Sequence, residues 1–500
     1  MVGFALLMAV SAALGGCGPQ KAPTVAPRSS ARAERQLAGD LDRVFGAQVM
    51  SQAEWGVEVK SLDTERVLYA RNARKLMMPA SNMKIVTLAT AAQTLGWDFR
   101  FTTTLETAAP IENGVLAGDL IVRGTGDPTI NTRNQRATAV FDDWALALRG
   151  LGINRIDGDI VGDDNAFDDE GLGAGWAWDY LQYGYAAPVG ALQYDEDVAA
   201  LTIAAGPTDG APASVTLAPG SGLRVINRAY TGAAKSAVTV DYVRRLDAPV
   251  LEVTGSLPID GAPQTRTVAV VNPTIFFAQS LKDALETRGI HVTGGAADAD
   301  ERVTMAPPDT RRQLVQTQSP PLREIATTMM KVSQNLYAET LLKAAGAADG
   351  GLGTVAGGSL ATRAVLDGWA IPASTYVQVD GSGLSRYDYV TADMLVTILE
   401  HEYRDPASHD AFVATLPIAG KDGTLRSRLQ KTRAENNALA KTGSIANVRT
   451  LSGFVRTRDG ETLAFSILAN SFAIPASTVT WIADLAVETL ANYTARGNVK

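Results

Sequence analysis

Pro79-Ala80-Ser81-Asn82-Met83-Lys84-Ile85-Val86-Thr87-Leu88-Ala89-Thr90-Ala91-Ala92-Gln93-Thr94-Leu95-Gly96 is the stretch on which the reading of this chain turns. Ile85, Leu88, Ala89, Ala92 and Leu95 recur at the spacing of one helical face, and Gly96 supplies a stop. The pattern predicts a buried helix that opens at Ser81. A serine there lies among N–H groups without intrahelical partners, at the positive end of the helix dipole, where developing negative charge is favoured. Lys84 follows three residues later and projects from the same side, one turn on. Ser-x-x-Lys by itself is a common pattern; its placement at a helix start above an apolar face is far more selective.

Two more short motifs each occur once, downstream and in order: Ser333-Gln334-Asn335 and Lys441-Thr442-Gly443. Helical periodicity over Leu322 to Ala345 is interrupted at Ser333. Ser and Asn are poor helix-interior residues, so the motif is expected in a turn between two helices. Met329, Met330, Leu336, Leu341 and Leu342 read as core. Leu439 to Gly443, Leu451 to Arg456 and Leu463 to Ala469 read as three successive strands. Val479 to Tyr493 reads as a closing helix packed through Trp481, Ile482, Leu485 and Leu490. Near the start, Leu37, Leu41, Val44 and Phe45 mark a helix. Trp55, Val57 and Val59, then Val67 to Tyr69, mark a hairpin. Helices surrounding a sheet of hairpin-connected strands give an α+β fold.

The three motifs together hold a coherent chemistry. A serine hydroxyl is a weak nucleophile and needs a base within hydrogen-bond reach. Lys84 serves only when neutral, although a free lysine titrates near ~10.4. Desolvation and a second cation, Lys441, would both lower it. Ser333 is expected to bridge the two lysines and pass a proton to a leaving amine, and Asn335 to bond a substrate amide. Lys441 and Thr442 would grip a terminal carboxylate, with Gly443 letting the substrate backbone lie against the strand. The N–H groups of Ser81 and Ser444 would form an oxyanion hole, worth ~3–4 kcal/mol per donor.

Bulk properties narrow the alternatives. The chain has 500 residues, enough for two or three domains, and 46% of them are apolar, so most of it can form packed cores. A net charge of −8 argues against a nucleic-acid partner. Cys17 is the single cysteine, which excludes an intrachain disulfide and a cysteine-built metal site. The three histidines, His291, His401 and His409, lack His-Glu-x-x-His spacing and read as surface or helix-end residues. A histidine-based serine triad is thereby disfavoured, and neither a metal nor an organic cofactor is expected. Met1 to Gly16 is apolar, uncharged and shorter than the ~20 residues that span a bilayer, so residues 1–17 read as an export signal. Leu14-Gly15-Gly16-Cys17 resembles a lipobox, making Cys17 the expected lipidation site and a membrane anchor, with plain secretory cleavage of the signal as the alternative. Residues 18–35, rich in Pro, Ala, Ser and basic side chains, read as a flexible tether.

Between the first motif and the second, residues 110–270 change character. Glycine, aspartate and short β-type runs dominate, as in Gly118-Asp119-Leu120-Ile121-Val122. This is expected to be a strand-rich insertion that divides one catalytic unit into residues 36–109 and 271–500. Its aromatic cluster, Trp176, Trp178, Tyr180, Tyr183 and Tyr185, reads as core or interface packing rather than a ligand platform.

With these residues in place, the chain resembles the class C low-molecular-mass penicillin-binding proteins, D-alanyl-D-alanine carboxypeptidases/endopeptidases of peptidase family S13. Gly124-Thr125-Gly126-Asp127-Pro128, Asp380-Gly381-Ser382-Gly383-Leu384-Ser385 and Gly420-Lys421-Asp422-Gly423-Thr424-Leu425 are similar to further signatures of that family, as is the long interval between Ser81 and Ser333. The resemblance implies a β-lactamase/transpeptidase-like domain, an antiparallel sheet flanked by helices, carrying a large mostly β insertion. It implies Ser81 as the acylated nucleophile, Lys84 as its base, Ser333 and Asn335 as the second element, and Lys441-Thr442-Gly443 as the substrate strand. It places Asp163 and Phe167 in the segment approaching the substrate's free amino end. Peptidoglycan stem peptides would be the substrates, β-lactams covalent inhibitors, and the periplasm or cell envelope the location. Two other outcomes share the acylation chemistry: a slowly deacylating penicillin-binding sensor or scaffold, and a β-lactamase, against which the long insertion argues.

Overall fold

The computed structural model describes residues 31–495. The expected export signal, Cys17 and residues 18–30 of the expected tether lie outside them. The remainder of that tether is ordered: a helix, Ala31–Phe45, begins inside it and buries Ala33 with Leu37, Leu41 and Phe45.

A five-stranded sheet is the frame. Its strand order is Val67–Arg71, Glu54–Ser61, Thr462–Asn470, Val448–Arg456, Leu439–Ile445, and every neighbouring pair is antiparallel. Thr462–Asn470 is the middle strand and is buried along its whole length. Alternate side chains divide between two cores, as a two-residue period requires. Leu463, Phe465, Ile467 and Ala469 pack under Ala31–Phe45 and the closing helix, Ala476–Asn492. Ala464 and Leu468 face the opposite core, built with Met83–Leu95 and Ala392–Arg404. In the closing helix Ile482 and Leu490 are buried as expected, but Trp481 points to solvent at 63% exposure. Helix rotation rather than aromatic character decides which residues are buried, and it turns Trp481 outward.

The helix Met83–Leu95 is buried all round from Met83 to Ala92 rather than along one stripe. It lies against Asn335–Gly346, Val355–Gly368 and Ala392–Arg404, so no face meets water. Its polar members are satisfied internally: Thr87 Oγ1 donates to the Gly381 carbonyl at 2.7 Å, and Thr90 Oγ1 to that of Val86 at 2.9 Å.

The insertion is larger than the composition suggested. Thr102–Thr107 pairs with Arg312–Gln318, so the excursion leaves the catalytic unit before residue 110 and returns well after residue 270. These strands close a second five-stranded sheet with Leu120–Gly124, Ile160–Asp163 and Ala296–Asp298, partly parallel. Two helices, Ala137–Gly150 and Pro273–Thr287, share its core through Phe141, Trp144, Phe277 and Leu281. A further set of short strands between residues 198 and 269 encloses its own core around Leu201, Ile203, Leu251 and Val253. The expected edge at residue 270 therefore falls inside the insertion, because Pro273–Thr287 spends its apolar face there.

Candidate active site

Ser81 sits in a 3₁₀ turn, Ala80–Asn82, that leads directly into Met83–Leu95. The turn is fixed from the sheet side. Thr450 Oγ1 donates to the Pro79 carbonyl at 2.8 Å, and Asn82 Nδ2 to Ser452 Oγ at 2.5 Å. A Cβ on Gly443 would lie 2.0 Å from Thr450 Oγ1, 2.8 Å from the Pro79 oxygen and 2.9 Å from the Ser81 nitrogen. The glycine is thus required by the approach of the strand Leu439–Ile445 to the turn that carries Ser81, rather than by a substrate backbone.

The side chains of the three motifs converge. Lys84 is fully buried, and its Nζ lies 3.1 Å from Ser81 Oγ, 2.6 Å from Asn335 Oδ1 and 2.9 Å from the Ser382 carbonyl oxygen. Burial lowers its proton affinity to about 8, against the opposing pull of Asp380, Glu339 and Asp388. Lys441 is also fully buried and donates to Ser333 Oγ at 2.8 Å and to the Thr442 carbonyl at 2.7 Å. Burial, then the neighbouring Lys84 charge, depresses Lys441 well below the ordinary lysine range.

Ser333 occupies the expected turn between the helices Leu322–Lys331 and Asn335–Gly346, with a left-handed φ of 62°. A non-glycine residue held there is strained, a state that persists where the surroundings over-determine it. Its hydroxyl accepts from Lys441, while Lys84 bonds Ser81, Asn335 and the Ser382 carbonyl instead, so the expected bridge between the two lysines is not closed. Asn335 has both ends engaged within the protein: Oδ1 accepts from Lys84, and Nδ2 donates to the Tyr185 carbonyl at 2.7 Å.

Above these groups opens a cleft of about 500 Å³. Ser81, Ser333, Asn335, Thr442 and Ser444 line it, so motif residues from the helix start, the turn and the edge strand meet in one cavity. Tyr180, Tyr185, Leu384, Thr424 and Arg449 complete the wall. The expectation that the aromatic cluster only packs is corrected here, since Tyr180 and Tyr185 face the cavity while their rings meet edge to face at 5.6 Å. Thr424 and Leu384 lie in two of the signature stretches, and Thr442 Oγ1 bonds Thr424 Oγ1 at 2.8 Å.

Asp163 and Phe167 are not among the cleft's residues. Asp163 ends the strand Ile160–Asp163 and is buried in an ion pair with Arg311. Phe167 is buried in the core, packed against Gly126 and Gly353 with the Lys343 ammonium 5.9 Å from its ring. Both side chains are therefore engaged within the protein, Asp163 by the ion pair and Phe167 by the core. His401 stacks on Trp369 at 4.8 Å, and His409 opens the short helix His409–Thr415. Among the described residues, carboxylate oxygens gather within 4.8 Å of one another at Asp164, Asp298 and Asp300, away from this cleft.

A serine at a helix start, a buried lysine beside it, a Ser-x-Asn turn and a Lys-Thr-Gly edge strand are the pattern of the penicillin-recognising class of serine acyl-transfer enzymes. The family model described as D-Ala-D-Ala carboxypeptidase 3 (S13) matches residues 37–491, and the chain belongs to that family of serine-type carboxypeptidases. It is 35% identical over 471 residues to a D-alanyl-D-alanine carboxypeptidase of Actinomadura sp. (strain R39), covering 91% of this chain and 84% of the relative. It is 29% identical over 428 residues to the D-alanyl-D-alanine carboxypeptidase DacB of Haemophilus influenzae, covering 84% and 85%. The crystal structure of penicillin binding protein 4 (dacB) from Haemophilus influenzae superposes with a TM-score of 0.78 at 27% identity, covering 91% of this chain and 99% of that one. A second structure of that protein, complexed with a β-lactam, gives 0.72 at 25% identity over 90% and 97%.

Proposed function

We propose that the chain cleaves peptidoglycan stem peptides after the residue preceding a terminal or cross-linking D-amino acid, through an acyl-enzyme on Ser81. The observation that carries this is the bonding of Lys84. A neutral amine has two N–H bonds and one lone pair. With the N–H bonds given to Asn335 Oδ1 and the Ser382 carbonyl, the lone pair is directed at Ser81 Oγ, 3.1 Å away. Lys84 then takes the hydroxyl proton as the oxygen attacks the carbonyl carbon, and the N–H groups of Ser81 and Ser444 receive the oxyanion. Collapse expels the amine of the D-amino acid, which takes its proton from Ser333, replenished from Lys441 across 2.8 Å. Water attacks the ester by the reverse route and frees Ser81. A β-lactam would acylate the same oxygen without a departing leaving group.

Because the ammonium of Lys441 turns inward to Ser333, the substrate carboxylate is assigned to the Thr442 and Thr424 hydroxyls and to Arg449, the cationic residue among those lining the cleft. Thr442 and Ser444 come from the edge strand of the sheet, which has a free side for an extended peptide. Incubating the purified protein with a pentapeptide ending in D-Ala-D-Ala should release free D-alanine, and Ser81→Ala should release none. Equal release from the two proteins would reject Ser81 as nucleophile. Digestion of purified sacculi, with separation of the muropeptides, reads endopeptidase cleavage as the loss of cross-linked dimers. Export to the cell envelope and lipidation at Cys17 are inferred from the N-terminal sequence, and the mass of the membrane-extracted protein tests them. Among the described residues, no helix is long and apolar enough to cross a membrane.

A further inference from the structure

The floor of the cleft holds more buried acid than the acyl transfer uses. Asp380 and Asp388 are completely buried, and Glu339 almost so. All three converge on the loop of residues 380–385, whose Ser382 carbonyl takes a bond from Lys84. Glu339 accepts from the N–H groups of Gly381 and Ser382, each at 2.8 Å. Asp380 accepts from the N–H groups of Gly383 at 2.6 Å and Ser385 at 2.7 Å, and from Trp176 Nε1 at 2.9 Å. The loop is seated on the nucleophile's own turn: Gly383 has φ +77°, and a Cβ there would fall 1.8 Å from the Ala80 carbonyl oxygen. Moving the loop therefore moves both the hydrogen-bond partner of Lys84 and the support of Ser81.

Asp388 is the unusual member. Its Oδ1 accepts from the Val379 N–H at 2.6 Å and the Asp380 N–H at 3.3 Å. Its Oδ2 is buried with no donor directed at it. The side-chain partner it meets is the carboxyl of Asp380. Two charged carboxylates side by side repel, whereas one shared proton converts the contact into an O–H···O bond. The oxygens of Asp380 are already occupied by donors, so the proton has its place on Asp388. Burial pushes Asp388 well above the usual carboxylate range, and the neighbouring charges of Asp380 and Glu339 push the same way.

We propose that Asp388 holds its proton and donates it to Asp380, and that this acid pair, with Glu339, acts as a set of positioning residues that aim the Ser382 carbonyl at Lys84. Fixing that carbonyl decides where the two N–H bonds of the neutral amine go, and hence where its lone pair points. The charged and titratable groups facing Lys84 are Asp380 and Asp388 on the loop side, Glu339 from the helix Asn335–Gly346, and Lys441 from the edge strand. The inference rests on Lys84 being the base.

The test is the pH profile of the second-order acylation rate of the full chain with a chromogenic cephalosporin. Asp388→Ala removes the donor and leaves two backbone N–H groups unpaired, and is expected to lower the rate about tenfold or more, the scale of a small misplacement at a reacting centre. Asp388→Asn supplies an N–H in place of the acid O–H and keeps the oxygen acceptor. It should recover most of the rate and leave the rising limb of the profile in place. Asp380→Asn deletes a charge facing Lys84 and should move that limb to lower pH. An equal shift of the limb in Asp388→Asn would mean that Asp388 is charged, and would overturn the proposal, as would a wild-type rate in Asp388→Ala. Should Asp380→Asn fail to fold, the infrared difference spectrum between wild type and Asp388→Asn decides. A carboxylic-acid carbonyl band present only in wild type supports the assignment, and its absence there rejects it. If acylation survives Lys84→Met, the base assignment fails, a result separable from the infrared answer on Asp388.

Discussion

Lys84 has its proton affinity lowered by burial to about 8, while Asp380 and Glu339 keep it from falling further. Only the neutral amine can accept the Ser81 proton, so the acylation rate should rise as pH climbs through about 8 and level off above it. Lys84→Met should lower that rate roughly 10²–10⁴-fold and erase the limb, measured as covalent adduct formed against time. Gly443→Ala tests the close approach of the edge strand to the Ser81 turn. With backbone atoms at 2.8 and 2.9 Å from the added methyl, the strain should cost ~1–3 kcal/mol, read as a lower Tm, with acylation falling as Ser81 is displaced. Ser81, Lys84, Ser333 and Lys441 were legible in the sequence because their order, spacing and helix-start or strand context are local properties. The burial of Asp380 and Asp388 was not: Asp380 stood out only as part of a signature stretch and Asp388 lies just beyond it, and the loop is buried by packing with distant Trp176, Glu339 and Ala80. The ion pair of Asp163 was hidden for the same reason, since its partner Arg311 lies far along the chain.

At the level of elements, the three C-terminal strands and the broken helix around Ser333 follow directly from two-residue and helical periodicity. The helix Ala137–Gly150 was equally readable, with Val140, Phe141, Trp144 and Leu148 on one face, but the surrounding glycine- and aspartate-rich strands masked it. Trp144 is buried against Phe141 and Phe277, and its Nε1 donates to Thr317 Oγ1 at 2.7 Å, tying this helix to the strand Arg312–Gln318 that leads back to the catalytic unit. Trp144→Ala should therefore destabilise the insertion by ~3–5 kcal/mol. Because the Ser81 cluster is built from a different core, β-lactam acylation of the folded variant should remain near wild type. Limited proteolysis, with cleavage appearing first between residues 102 and 318, checks the first statement, and labelling with a fluorescent penicillin checks the second.

Across the whole molecule, the insertion is both separate and attached. Its main hydrophobic cores are distinct from the pair that sandwiches the central sheet. It nevertheless reaches the catalytic unit through Trp176 on Asp380, the Tyr185 carbonyl on Asn335, Gln193 on Thr340 and Asp168 on Lys343. Phe167 and Val189 of the insertion enter the catalytic core itself. Apart from these apolar contacts the seam is polar, so most of the buried area of each core survives when the other opens. Calorimetry of the free protein should accordingly resolve more than one transition. Acylation by a β-lactam adds contacts only around Ser81, so it should raise the transition of the catalytic unit by ~2–4 °C for each ~1 kcal/mol of added stability and leave that of the insertion nearly unmoved. A single transition, with calorimetric and van't Hoff enthalpies equal, would show instead that the seam couples the cores into one unit. In that case the Trp144→Ala variant should also lose acylation, so the two experiments constrain each other.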